Sequence, residues 1–471
     1  MRNARYGGPR VASGLSTHDA RPVRAGFALV AAAVASWFTP GALAQPDYNR
    51  DCVANFADSL SFMDDYAARR SAADLNLDNT VDLADYSAFV ESRAKTNFTY
   101  YWLVSTGLQG NQPMDTLVNL SGIPISRDCA IIYEQDYPKI PMRLGPNGEH
   151  LEAGLYLLFR SANGTYTHWS SNHDAWMAEH QATAHVAFNN RVTAGFSGLL
   201  CLDLEAVPPL WEFTWGVQPQ RDGWRAMLEA INGIRYDPLF IERTGYTPPA
   251  GTLGWYDLSP EQQSEFCRVS YNAFGIHYFV ETLRYTRAVM PTAKYGFYGT
   301  PFNWWPTYDA EKSAINDQLA PLWAEIDVLM PSVYQLMWTT TDRATSPCPD
   351  YTNTPGQNSA FFSSLIGESV RVRDRFCRPN VPVIAVAWWH YRASSGNCSP
   401  DIQGDLFVND WNVAHQLRLP WQFGADGVAI WGHFGRAGPS YPHNWLDEPH
   451  EVEPFFREQW APHIRHVACP K

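Results

Sequence analysis

Gly198-Leu199-Leu200-Cys201-Leu202-Asp203-Leu204-Glu205 is apolar for five residues and then carries two carboxylates. A short apolar run without polar alternation suits a strand buried on both faces, as in parallel sheets. Side chains two apart on a strand share a side. Asp203 and Glu205 therefore face the same way where the strand ends. Two acids held close push one pKa up, so that one keeps its proton near neutral pH and can donate it to a leaving group. Glycoside hydrolysis needs such a pair. An Asp-x-Glu triplet alone is weak evidence, because most such pairs are surface charges. Its place after an apolar strand and before Pro208-Pro209 is what singles it out.

Seven further runs resemble this strand: Tyr101–Val104, Ala130–Tyr133, Leu155–Phe159, Lys294–Tyr298, Asp327–Tyr334, Val383–Trp389 and Gly427–Trp431. Leu155–Phe159 is the least secure and fits an excursion outside the sheet equally well. Helical patterns separate several runs. His173–Asn190 is one. Another opens at Ser259-Pro260-Glu261-Gln262, with an N-cap serine, proline at N1 and glutamine at N3, and reaches Met290 before Pro291. Strands alternating with helices predict an α/β fold, and eight strands suit a (β/α) barrel of TIM type over residues 99–471. Barrel sites lie where the strands end. Those ends carry Tyr133, Tyr298, Ser332, Tyr334 and Trp431. Several aromatic rings around a carboxylate pair suit a sugar-stacking cleft. His173, His180 and His185 lack the i, i+4 spacing of a helical metal pair.

Outside the barrel the chain reads in two more pieces. Five arginines and one aspartate precede Ala44, with an apolar run at Ala25–Trp37 and Ala42-Leu43-Ala44 at its end. This is the pattern of a signal peptide over 1–44. It predicts a secreted or periplasmic protein, and a context in which the eight cysteines can form disulfide bonds. Cys201, inside the apolar strand, reads as a buried free thiol. Residues 50–92 carry oxygen ligands at loop positions 1, 3, 5, 9 and 12, as Asp74, Asn76, Asp78, Asp82 and Asp85, and position 7 is Thr80. That spacing predicts a Ca2+ loop between helices, of the EF-hand kind. Position 6 is Asn79, which tolerates the left-handed turn. With aspartate at position 12 the segment resembles a dockerin-like module. The resemblance implies one structural Ca2+ and, less strongly because the first half-repeat at 55–66 has lost its ligands, a docking partner.

Composition narrows the function. Charge is −13, and −17 once the five arginines and one aspartate are cleaved, which excludes a nucleic-acid binder. No internal run is long enough to span a membrane. Aromatic residues make up 14% of the chain, an excess suited to flat ligands such as sugars.

Four ordered motifs then carry a resemblance. Phe196–Glu205 followed by Pro209-Leu210-Trp211, Lys294-Tyr-Gly-Phe-Tyr298-Gly-Thr-Pro301, Leu329-Met-Pro331-Ser332-Val-Tyr334 and Gly424–Gly432 look like those of hyaluronidases of the bee-venom and sperm type. Ile132-Tyr133 matches an earlier tyrosine more loosely. The resemblance spans about residues 99–440 and implies a distorted (β/α) barrel. It implies a retaining endo-β-N-acetylhexosaminidase that cuts a glycosaminoglycan such as hyaluronan or chondroitin with the help of the substrate's own acetamido group. No cofactor is implied for catalysis. Glu205 would be the acid and later the base. Asp203 with Tyr298 or Tyr334 would hold the acetamido group. Trp431 would wall the pocket, with Tyr133 and Ser332 as further substrate contacts.

The chain departs from the pattern after the triplet. Ala206-Val207-Pro208-Pro209 stands where the family has an acidic residue and then Trp-Arg-Pro, so the basic residue is lost. The family's cysteines after the first strand and after the Gly-Phe-Tyr motif are also missing, so its disulfides do not carry over. Arg160, Arg392 and Arg436 follow strand-like runs and are candidates for a local basic cleft. Two alternatives stand beside a glycosaminoglycan hydrolase: a barrel glycosidase acting on a neutral N-acetylhexosamine polymer, and a non-catalytic carbohydrate-binding barrel.

Overall fold

The computed structural model describes residues 56–70, 73–74, 80–83, 85, 98–105, 122–145, 150–189, 191–214, 218–302, 310–333, 338–339, 352–353, 355–389, 408, 410–433 and 449–467. The expected signal segment lies outside them. So do Asn76, Asp78, Tyr334, Arg392 and Arg436.

Six strands carry the fold: β1 Thr99–Ser105, β2 Cys129–Tyr133, β3 Leu199–Asp203, β4 Lys294–Phe297, β5 Ile384–Trp388 and β6 Gly427–His433. β2, β3 and β4 form one parallel sheet, with Tyr133 opposite Asp203 and Leu202 opposite Phe297. β5, β6 and β1 form another, also parallel, in which Leu103 faces Trp431. The extended segment 329–333 joins the two sheets. Gly299 donates to the Met330 carbonyl at 2.9 Å, and Val386 donates to the Pro331 carbonyl at 2.7 Å. The arc runs β2-β3-β4-(329–333)-β5-β6-β1, so spatial order follows chain order as it does in a (β/α) barrel. Among the described residues no backbone ladder joins β1 to β2. Their contact is a side-chain one: the Cys129 thiol donates to the Trp102 carbonyl at 3.1 Å.

Leu155–Phe159 is not a strand. It is a 3-10 helix with all five side chains buried, begun by the Leu157 N–H bonding to the Gly154 carbonyl. A short apolar run reads alike as strand or as buried helical turn, and packing decided here. Phe159 is the hub of an aromatic cluster, with Trp169, Trp224, Phe240, Phe274 and His173 at centroid distances of 4.8–6.3 Å. This cluster lies between helices α1 Trp169–Asn189, α2 Gln218–Asn232, α3 Pro238–Thr244 and α4 Pro260–Val289. Part of the aromatic excess therefore fills an outer core. The Trp224 indole there finds the Ser270 hydroxyl at 3.1 Å.

The capping box at Ser259 forms as expected. The Ser259 hydroxyl accepts from the Gln262 N–H at 3.3 Å, and the Gln262 side-chain Oε1 accepts from the Ser259 N–H at 2.9 Å. α4 ends at Val289, capped by Met290 before Pro291. Cys129, Cys201, Cys267 and Cys377 are free thiols, and Cys201 is fully buried. Cys52, Cys348, Cys398 and Cys469 lie outside the described residues.

Near the N-terminus, helix Phe56–Ala67 packs Phe62 on Ala73, with Met63, Tyr66 and Val81 around them, as a small core of its own. Asp74 and Asp85 are buried there, while Thr80 and Asp82 are exposed. The Asp85 carboxylate accepts from the Asp82 N–H at 2.8 Å. Among the described residues no three His, Cys, Asp or Glu side chains are placed to hold a metal.

Candidate active site

β3 delivers the carboxylate pair. Its ladder partners are β2 and β4, so the ends of three strands carry Tyr133, Asp203 and Tyr298 side by side. Tyr133 is opposite Asp203. The Tyr298 N–H reaches the Leu202 carbonyl at 3.0 Å, which sets Tyr298 level with Asp203 on the other flank. Asp203 Oδ1 is buried and has no hydrogen-bond partner among the described residues. Burial first, then the Glu205 carboxylate, then the Glu134 carboxylate, hold the Asp203 carboxyl well above the usual carboxylate range. Glu205, two residues on and past the strand's end, is exposed. The pair is thus divided by environment: an inner acid whose carboxyl is pushed up by burial and an outer one at the solvent side.

The aromatic ends close around it. Trp431 Nε1 donates to the Tyr133 hydroxyl at 3.0 Å. The Tyr298 and Ser332 hydroxyls share a hydrogen bond of 2.9 Å. Trp388 meets Trp431 edge-on at 5.1 Å. Gly432 gives the strand room for the Trp389 ring, since a Cβ there would stand 1.8 Å from it. Of the site residues expected from the sequence, five are therefore brought together with Asp203 or hydrogen-bonded to a neighbour of it: Tyr133, Tyr298, Ser332, Trp431 and Glu205. The expected role of Tyr334 concerns a residue outside the described ones.

The segment after Glu205 is held from two sides. Ala206 donates its N–H to Glu134 Oε2 at 2.7 Å and accepts from Gln220 Nε2 at 2.5 Å. α4 grips the next turn. The Tyr271 hydroxyl donates to the Pro208 carbonyl at 2.9 Å, and Asn272 Oδ1 accepts from the Trp211 N–H at 2.7 Å. Gly275 lets the helix approach so closely that a Cβ would lie 2.2 Å from the Pro209 oxygen. Arg191 anchors the other flank, with its guanidinium 5.2 Å from the Tyr133 ring centroid and paired with Asp136 at 2.8 and 3.0 Å. Asp136 in turn accepts from the Tyr133 N–H at 2.9 Å.

Sequence reading missed Glu134, Asp136, Arg191 and Gln220. Glu134 directly follows a strand end, so the strand-end rule applied to carboxylates as well as to rings would have found it. The others come from helices and turns with no local signal. Arg160 was expected to follow a strand. It follows a 3-10 helix and pairs with Glu152 at 3.0 Å. His173 and His180 are buried among rings. His180 stacks on Tyr278 at 5.2 Å and bonds Thr282 at 2.9 Å, and its pKa is pushed down to about 4 by burial.

No protein-family model matches the chain. It is 25% identical to bovine hyaluronidase-2 over 325 residues, covering 64% of this chain and 59% of that protein. It is 26% identical to a Caenorhabditis elegans chondroitin hydrolase over 243 residues, covering 50% and 44%. The chain thus spans about half the length of these curated relatives. Its fold is similar to that of bee-venom hyaluronidase solved with a hyaluronic acid tetramer, with a TM-score of 0.52 at 18% identity over 79% of this chain and 99% of that one. The chain is thus similar in sequence to hyaluronidases and in fold to one of them. Among the described residues no helix is long and apolar enough to cross a membrane.

Proposed function

We propose that this chain is a glycoside hydrolase that cuts an N-acetylated glycosaminoglycan inside the chain, with retention at the anomeric carbon. The observation that carries this reading is the buried, unpartnered Oδ1 of Asp203 between Tyr133 and Tyr298, with Glu205 just outside it. A buried carboxyl oxygen without a partner among the described residues is ready to receive one from substrate. The N–H of a 2-acetamido group on the sugar fits, and it turns the acetamido carbonyl oxygen toward the anomeric carbon. In the reaction that oxygen forms a bond to C1 as the glycosidic C1–O bond breaks, and Glu205 gives its proton to the departing oxygen. Water then adds to C1 on the same face, Glu205 takes back a proton, and the oxazolinium ring opens. The pair holds one proton between its two members. In the bound complex that proton moves from Asp203 to Glu205, leaving an Asp203 carboxylate to steady the positive acetamido nitrogen.

Tyr298, tied to Ser332, and Trp431, tied to Tyr133, serve as donors and wall for the sugar. Tyr334 is assigned to the acetamido group by the motif. The relatives' names supply hyaluronan and chondroitin as first substrates to test. A neutral N-acetylhexosamine polymer is the second reading, favoured by Pro208 in place of a basic residue and by the acidic chain. Turnover measured on hyaluronan, chondroitin, chitin-like and deacetylated polymers tests both. Cleavage of deacetylated chains would overturn the acetamido mechanism. Export past Ala44 and one Ca2+ in the 50–92 module, held by Asp74, Asn76, Asp78, Thr80, Asp82 and Asp85, complete the proposal. The burial of Asp74 and Asp85 suits inward-facing ligands, and calorimetric titration with Ca2+ tests them.

A further inference from the structure

Glu134 bonds the main chain next to the carboxylate pair and belongs to none of the motifs. It follows Tyr133 at the end of β2, in the first turn of a 3-10 helix. Its carboxylate crosses to the next strand end and accepts the Ala206 N–H at 2.7 Å, across 72 residues of sequence. A charge-assisted bond of this kind is short and directional. Ala206 is also the first residue after Glu205, and Gln220 holds its carbonyl at 2.5 Å. Both main-chain groups of one residue are therefore clamped by side chains from different elements.

We infer that Glu134 is a positioning residue for the Asp203–Glu205 pair, fixing the main chain beside Glu205 and bringing a third carboxyl group to the neighbourhood of Asp203. This inference rests on the hydrolase reading for its kinetic consequence but not for its electrostatic one. The groups around Asp203 are Glu205 on its own strand end, Glu134 and Tyr133 from β2, Tyr298 beyond β4, and Cys201 beneath it on β3. Tyr278 of α4 faces Glu134. The guanidinium of Arg191 is bidentate on Asp136. Burial and Glu205 act on Asp203 more strongly than Glu134 does, so removal of the Glu134 charge lowers the Asp203 pKa only in part.

The two roles separate by substitution. Glu134→Gln keeps an acceptor for Ala206 and removes the charge. Glu134→Ala removes both. The full-length protein and both variants are compared by kcat and KM against pH on whichever polymer the wild type cleaves. In parallel, the Asp203 carboxyl stretch is titrated by infrared difference against Asp203→Asn. Glu134→Ala is expected to lose about ten- to a hundredfold in kcat with KM little changed, the scale of a misplaced catalytic group. Glu134→Gln is expected to recover most of that loss. Both variants should titrate Asp203 at lower pH than wild type. An Asp203 titration that does not move, or a Glu134→Ala enzyme with wild-type kcat, overturns the assignment. If the wild type cleaves no polymer, the hydrolase reading fails, while the infrared titration still decides for or against Glu134.

Discussion

The indole N–H of Trp431 donates to the hydroxyl of Tyr133 at 3.0 Å, joining residues 298 positions apart. The bond runs from β6 to β2 and so crosses β1 and the place between β1 and β2 where no backbone ladder is described. It also orders the rim of the site, because Tyr133 lies beside Asp203 in the β2–β3 register. Tyr133→Phe removes the hydroxyl that accepts this bond. A bond worth about 1 kcal/mol predicts roughly a fivefold loss in kcat/KM, with the melting temperature little changed. An unaltered kcat/KM on the best polymer would show that the rim does not depend on this bond.

Glu205→Gln should lower kcat by about 10²–10⁴-fold, the usual worth of a positioned general acid. Glu205 is exposed, so the fold should survive. Circular dichroism and turnover of the purified variant check both halves of the statement.

Asp203 gives a pH signature in stability. Its folded pKa is raised above the unfolded value of 3.8. Stability from this group is therefore fully present below about pH 4 and is lost as pH rises through the folded pKa. Asp203→Asn should melt higher than wild type near neutral pH, with the gain vanishing at pH 3.5, and should be inactive. Thermal melts of both proteins between pH 3.5 and 8 test this, and equal melting temperatures at pH 7 would contradict it.

The histidines act in the opposite sense. Burial lowers the pKa of His180 to about 4, and those of His173 and His277 are lowered as well. A depressed histidine leaves stability intact above pH 6.5, and the contribution is lost as pH falls through the folded pKa. His180 should stay neutral down to about pH 4 in an NMR titration of its ring protons. A midpoint near 6.5 would mean the Tyr137–His180–Tyr278 cluster is open to water.

Gly275→Ala tests the grip of α4 on the loop after the acid pair. Its Cβ would meet the Pro209 oxygen at 2.2 Å, so helix or loop must shift. Overpacking of this kind costs about 1–3 kcal/mol, and the displaced loop carries Glu205. Denaturant melts should show the destabilisation, with kcat falling alongside. A variant with both unchanged would mean the helix does not position the loop.

Much of this was legible along the chain because it depends on neighbours in sequence. An apolar run bounded by turns makes a buried strand, and seven of the eight runs are extended and parallel or bridged in parallel. A serine three residues before glutamine makes a cap whose two bonds are local. The strand-end rule named Asp203, Tyr133, Tyr298, Ser332 and Trp431, while Glu205 lies past the end of β3, where alternation no longer applies. Leu155–Phe159 failed for the same reason that the others succeeded. Its apolar pattern fixes burial but not backbone curvature, and packing against α1 and α2 coiled it.

Tertiary structure alone decided the rest. A pKa depends on what surrounds a group, and Asp203 loses its water to segments contributed by β2 and β4 as well as its own strand. Glu134 reaches Ala206 across 72 residues, Trp431 reaches Tyr133 across 298, and Arg191 finds Asp136 across 55. Hydrogen bonds and desolvation act over a few ångströms of space whatever the distance along the chain. The sequence therefore determined which residues stand at strand ends. Only the folded arrangement determined which acid is buried, which stays at the surface and what holds each in place.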